Sequence, residues 1–158
     1  MRTQAHYQLT EPVSEHDHVS GPRSAPISLV EYGDFECPYC RAAQPIVAAL
    51  REAFGEQLSF TFRHFPMREV HPHGQYAAEV AEAAGSQGLF WQMHDTLFAN
   101  QNALDDPSLL RYAAGLGLDT DRVERELADR VHSQRVEDDR SGGLGSGVNG
   151  TTNRIHAP

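Results

Sequence analysis

Cysteine is nearly absent: the 158-residue chain has two, Cys37 and Cys40. Two cysteines cannot form a secretory disulfide framework, and a bridge across adjacent turns would gain little loop entropy. There is no second CxxC and no HxxxH to complete a four-ligand zinc site, whose other half would have to come from scattered histidines such as His64, His71 and His73. Lys/Arg runs are also missing. With a net charge of −9, from 22 acidic against 13 basic residues, the chain has no track for phosphates or an anionic membrane surface, which argues against nucleic acid as a partner. Long apolar runs are lacking too. The first residues, Met1 to His6, hold no signal-peptide core, and nowhere are there the roughly 18 apolar residues of a membrane span. The expectation is a soluble, cytoplasmic protein without membrane contact, in a compartment where an isolated CxxC is more naturally catalytic or redox-sensing than a staple.

The chain is organised around Cys37-Pro38-Tyr39-Cys40, which follows the apolar run Ile27–Tyr32 and precedes a helical pattern. Cys37 is predicted at the helix N-cap with Pro38 at the first helical position, where its missing N–H costs nothing. The open N–H groups and dipole of the first turn would then favour a thiolate on Cys37, the species that attacks disulfides. Cys40 lies three residues on, on the same helix face, placed to resolve a mixed disulfide. A zinc half-site and an inert pair remain the competing readings.

Length sets one domain. Residues 1–25, broken by Glu11-Pro12, Gly21-Pro22 and Ala25-Pro26, read as an irregular leader, and His16-Asp17-His18 within it as solvated rather than metal-binding. Residues 26–158 read as the folded domain. A strand at Ile27–Tyr32, a helix from Pro38 that stops at Gly55, with its stripe at Ile46, Leu50 and Phe54 and Val47 beside it, and a strand at Leu58–Phe65 make a right-handed βαβ unit. Pro45 inside the helix predicts a kink near 41–45. About 68–141 is expected to be a helical insertion, with stripes at Tyr76, Val80 and Ala84, at Phe90, Met93 and Leu97, and at Leu109, Ala113 and Leu116. A last helix from Asp119 would carry Val123, Leu127 and Val131 inward. The Trp91 and Met93 stripe reads as core, and His71 and His94 as ordinary satisfied histidines.

The combination of His16-Asp17-His18-Val19, Leu29 through Cys40, Arg63-His64-Phe65-Pro66, Phe90 through Asp95 and Gly147-Val148-Asn149-Gly150-Thr151 resembles the DsbA-type branch of the thioredoxin fold. The resemblance spans residues 16–151. It implies an α/β thioredoxin-like fold with a helical insertion, thiol-disulfide exchange with protein or low-molecular-weight thiols, and no cofactor or metal. Cys37 would be the attacking thiol and Cys40 the resolving one. Pro38 and Tyr39 of the motif are candidate substrate contacts. Glu31, six residues before Cys37, matches the family's acidic residue beneath the active-site helix. Independently, a carboxylate in an apolar strand should have a raised pKa and could take the Cys40 proton, unless it is an exposed strand-end glutamate. Asp34 and Glu36 oppose the helix dipole at Cys37.

After Gly150-Thr151 the family has a cis-proline and further strands; here Thr152 and a short polar tail stand instead. Thr151 and Thr152 are therefore the candidate remnant of the substrate ledge, with a trans bond between them expected. The sequence implies loss of the C-terminal strands and helix, an open edge on the first strand, and homodimerisation through it. A catalytically weak binding or dimerisation module, and a glutathione-dependent transferase or isomerase, are the alternative functions.

Overall fold

The computed structural model describes residues 8–150 and the backbone of 154–157. Its centre is a four-stranded sheet. Strand β1 (His18–Ser20) runs antiparallel to β3 (Leu58–His64), β3 runs parallel to β2 (Ile27–Gly33), and β4 (Arg154–Ala157) pairs antiparallel with β2, giving the order β1-β3-β2-β4. Helix α1 (Pro38–Phe54) joins β2 to β3, the expected βαβ crossover. A 3-10 turn at Gly55–Gln57 ends that helix, with Gly55 at φ 50°.

Two expectations from the sequence change at the sheet. The leader is not irregular throughout, because His18, Val19 and Ser20 pair with Phe62, Thr61 and Phe60. A three-residue strand is too short to show a period, and its signal lies in its partners. The edge of β2 expected to be open is covered: Ser28, Leu29, Val30 and Glu31 pair with Ala157, His156, Ile155 and Arg154. The strand edge that suggested homodimerisation is thus occupied by the chain itself.

Parallel register puts Leu29 opposite Phe60 and Glu31 opposite Phe62, so these four share one face of the sheet, while Val30, Tyr32, Thr61 and Arg63 share the other. Over the first face lies the larger core, where Phe35, Cys40, Val47, Phe60 and Phe62 meet the helices α2 (Gly74–Gly85), α3 (Phe90–Ala99), α4 (Asp106–Gly115) and α5 (Thr120–Ala128). Over the second, Val30, Tyr32, Phe65 and Val148 form a smaller cluster with Leu9, Val13 and Met67. Helix α6 (Ser133–Gly145) covers this side. A Cβ on Gly143 would come within 2.9 Å of the Phe65 and Tyr32 rings, so α6 reaches the sheet only because residue 143 has no side chain.

Both faces of β3 are buried, and Arg63 is admitted by a bidentate pair with Asp17 at 2.8 and 2.9 Å. Its remaining donors go to the Tyr32 hydroxyl, at 2.9 Å, and to the carbonyls of Glu11 and Pro12. This fastens the N-terminal segment to the sheet. Burial alone would raise the Asp17 carboxyl, but hydrogen bonds from Arg63 and the Ser14 N–H, with the charges of Arg63 and Arg135, bring it below its ordinary value.

The helices also depart from the periodicity. The inward stripe of α1 is Cys40, Ala43 and Val47, and Ile46 is 55% exposed. Val47, expected beside the stripe, is its buried centre, and Cys40 at the strand-to-helix turn rotates the helix about one residue away from the Ile46, Leu50 and Phe54 line. The single last helix is two, α5 and α6, broken at Arg130, whose φ of 56° cannot continue a right-handed helix. Val131, expected inward, lies in that break and is exposed.

Candidate active site

The turn between β2 and α1 is built as its residue types require. Cys37 is the N-cap of α1, in extended conformation (φ −78°, ψ 121°), and Pro38 opens the helix. The Cys37 N–H donates to the Asp34 carbonyl at 3.1 Å, and the Cys37 carbonyl accepts from Arg41 N–H at 3.2 Å. Cys37 keeps 3% of its surface and Cys40 none, so Cys37 is the outer sulfur-bearing residue but by a narrow margin. Tyr39 is 73% exposed and marks the surface beside the pair. The Asp34 N–H points at the Cys40 sulfur, 3.5 Å away.

Glu31 is not an exposed strand-end residue. It is fully buried on β2 and faces α1, where the Gln44 amide nitrogen stands 3.4 Å from its Oε1 and donates to the Cys40 carbonyl at 3.0 Å. Gln44 thus links the buried carboxylate to the backbone of Cys40. The sequence carried a signal for it: Gln44 is four residues after Cys40 and shares its helix face.

The acidic neighbours of Cys37 are both turned onto histidines. Asp34, buried, accepts from the Glu36 N–H (2.9 Å), the Met67 N–H (2.9 Å) and His71 Nδ1 (2.7 Å). Glu36 binds the His73 backbone N–H at 2.7 Å and its Nδ1 at 2.9 Å. Their charge is drawn toward the segment before α2, away from the N-cap, which eases the conflict with the helix dipole. Gly74 makes the close approach possible, since a Cβ there would fall 2.6 Å from Asp34 Oδ1.

Further off, His94 is 3% exposed among Phe35, Phe62, Phe90, Trp91 and Phe98. Burial lowers its pKa, against the opposing hydrogen bond to Asp95. Glu82 receives His18 Nε2 at 2.8 Å and His64 Nε2 at 2.7 Å; burial would raise its carboxyl, and the two histidines hold it well below the usual range. These groups build the core behind the turn. Among the described residues no cluster of three or more His, Cys, Asp or Glu side chains could hold a metal ion. Thr151 and Thr152 lie outside the described residues, as does the bond between them.

A parallel strand pair carrying a Cys-X-X-Cys at its strand-to-helix turn defines the thioredoxin class of folds. Residues 13–151 match the family model described as "Thioredoxin", and the chain belongs to that family. A thioredoxin-like oxidoreductase from Silicibacter pomeroyi DSS-3 superposes with a TM-score of 0.81 at 26% identity, over 90% of this chain and 81% of that one. BdbD from Bacillus subtilis superposes at 0.78 with 21% identity, over 87% and 80%, a likeness of fold. Among curated sequences, Na(+)/H(+) antiporter NhaA 1 of Salinispora arenicola is 51% identical over 144 residues, and NhaA of Herminiimonas arsenicoxydans 44% over 144. The chain spans about a fifth of the length of those relatives, 22% and 23%. None of the described helices is long and apolar enough to cross a membrane.

Proposed function

We propose that the chain is a thiol-disulfide oxidoreductase domain working through the Cys37/Cys40 dithiol on protein or low-molecular-weight disulfides. The observation that carries this is the joint placement of Cys37 at the N-cap of α1, Cys40 one turn deeper, and Glu31 buried beneath them with Gln44 between. Cys37 as thiolate attacks one substrate sulfur, forming a mixed disulfide and expelling the other sulfur as a thiolate. Cys40 then loses its proton, attacks the Cys37 sulfur, and releases the second substrate thiolate as the Cys37–Cys40 disulfide forms. Two electrons pass to the substrate, and the same steps reversed oxidise a dithiol. Glu31 is the base that takes the Cys40 proton, and the Asp34 N–H supports negative charge on the Cys40 sulfur. Pro38 and Tyr39 form the surface a substrate meets, and the family resemblance adds Thr151 and Thr152 as candidate substrate contacts.

The family match and the antiporter match must overlap over most of the chain. We therefore read the redox domain as the part shared with those antiporters, a module attached to a transporter in the longer proteins.

The test is a pair of variants challenged with a reactive disulfide. Cys40→Ser should accumulate a mixed disulfide at Cys37, and Cys37→Ser should accumulate none. Trapping in neither variant, with equal alkylation of the two sulfurs near neutral pH, would remove the redox reading in favour of an inert binding module.

A further inference from the structure

We propose that Gln101, in the turn between α3 and α4, is a positioning residue of the dithiol site that sets Cys37 against the first turn of α1. The inference rests on the dithiol reading above and adds a residue that lies 64 positions away in sequence.

The Gln101 side-chain amide is buried, and its nitrogen donates both hydrogens to the active turn: one to the carbonyl of Phe35 and one to the carbonyl of Cys37, each at 2.8 Å. The first bond satisfies a carbonyl of a residue only 1% exposed. The second makes the Cys37 carbonyl a double acceptor, shared with the Arg41 N–H that closes the first turn of the helix. An amide held at both carbonyls fixes the peptide planes on either side of Glu36 and Cys37. With them it fixes the backbone angle that decides where the Cys37 sulfur stands relative to the open N–H groups of α1. It also turns the negative ends of two carbonyl dipoles toward the helical layer.

The strut is stiff at its other end. Ala103 N–H donates to the Asn100 carbonyl at 2.9 Å, the Tyr112 hydroxyl of α4 donates to the Ala103 carbonyl at 2.7 Å, and Leu97, Phe98 and Leu104 are buried on either side. Motion of the turn carrying Gln101 is therefore tied to α3 and α4. Gln101 is the side chain through which the α3–α4 turn holds the backbone carbonyls of the redox turn.

Without the amide the two carbonyls reorient, and the thiolate of Cys37 loses part of its alignment with the helix N-terminus. Less support for the thiolate destabilises the reduced form relative to the disulfide, so the domain becomes a better reductant. The experiment compares wild type, Gln101→Ala and the isosteric Gln101→Glu, which can donate at most one hydrogen bond where the amide donates two. The readouts are the pH profile of Cys37 alkylation, resolved by mass spectrometry, and the dithiol equilibrium against glutathione.

Expected is alkylation about three- to tenfold slower than wild type at mildly acidic pH, converging at high pH where every thiol is ionised. The equilibrium should shift by the same factor toward the disulfide, about 15–30 mV more reducing. Val123→Ala in α5 is the control: it loosens the same core from a helix that packs on α2 and α4, and it should leave the profile unchanged. If the Ala and Glu variants fail to fold, Gln101→Asn, which keeps the donor but falls a methylene short, is read the same way. A wild-type profile in the Gln101 variants, or an equal displacement in Val123→Ala, overturns the inference while leaving the dithiol reading intact. Wild-type cysteines that react alike and form no mixed disulfide overturn both.

Discussion

Replacing Arg63 with Met should be among the most damaging single changes in the sheet. Arg63 is 4% exposed and Asp17 6%, and the guanidinium also serves Tyr32 and two carbonyls of the N-terminal segment. Methionine fills much of the same volume but leaves Asp17 as a buried carboxylate with only the Ser14 N–H and Arg135, 3.7 Å away, to balance it. Breaking a buried pair from one side costs about 3–5 kcal/mol. For a chain of this length that is a fall in Tm of about 6–20 °C. The pair's contribution in the wild type is present above the unfolded Asp17 value and fades as pH falls through the depressed folded one. In Arg63→Met burial pushes that carboxyl up instead, so the variant's deficit should narrow on acidification from pH 7 to 4. Thermal melts of Arg63→Met, Asp17→Asn and the double variant check this, with the double less damaged than the sum of the singles by about 1–3 kcal/mol. Additive losses, or a deficit that widens in acid, would refute the ion-pair account.

Three further outcomes are expected. Glu31→Gln should slow resolution of the mixed disulfide more than its formation, because only resolution requires the Cys40 proton to leave; stopped-flow separates the steps, and an unchanged resolution rate would return Glu31 to a structural role. Gly74→Ala should cost about 1–3 kcal/mol by pushing into Asp34 Oδ1, although alanine favours the helix; a raised Tm would show that the close approach is not tight. His94→Phe should flatten the acid side of the stability curve: the depressed folded value of His94 makes the wild type lose stability as pH falls below the ordinary histidine range. Melts at pH 7 and 5 with equal slopes for both proteins would contradict this.

What the sequence revealed follows from the range of the interactions involved. The strand, the CPYC turn and the helix start were legible because Pro38 and the apolar run act within a few residues, and the observed N-cap is the expected one. The rotation of α1 was legible only in part, with Val47 inward as read but Ile46 outward, because Cys40 packing in the core helps set it and an apolar count leaves Cys40 out. The break at Arg130 carries no glycine or proline to announce it. Neither the Gln101 amide nor the histidines facing Asp34 and Glu36 could be assigned, since each lies more than thirty residues from its partner and nothing in its neighbourhood distinguishes it. Pairing of β4 with β2 was hidden in Arg154 to Ala157, four residues too few and too polar to read as a strand.

The central claim is that Cys37 and Cys40 form one two-electron redox couple. Equilibrating the chain in glutathione buffers of stepped potential and quenching with an alkylating agent measures this directly. The account predicts a single transition in which both cysteines change together, from doubly alkylated to an intrachain disulfide, with tenfold in the equilibrium for every 30 mV or so. Cysteines that titrate independently, or that stay alkylatable at every potential, would contradict it.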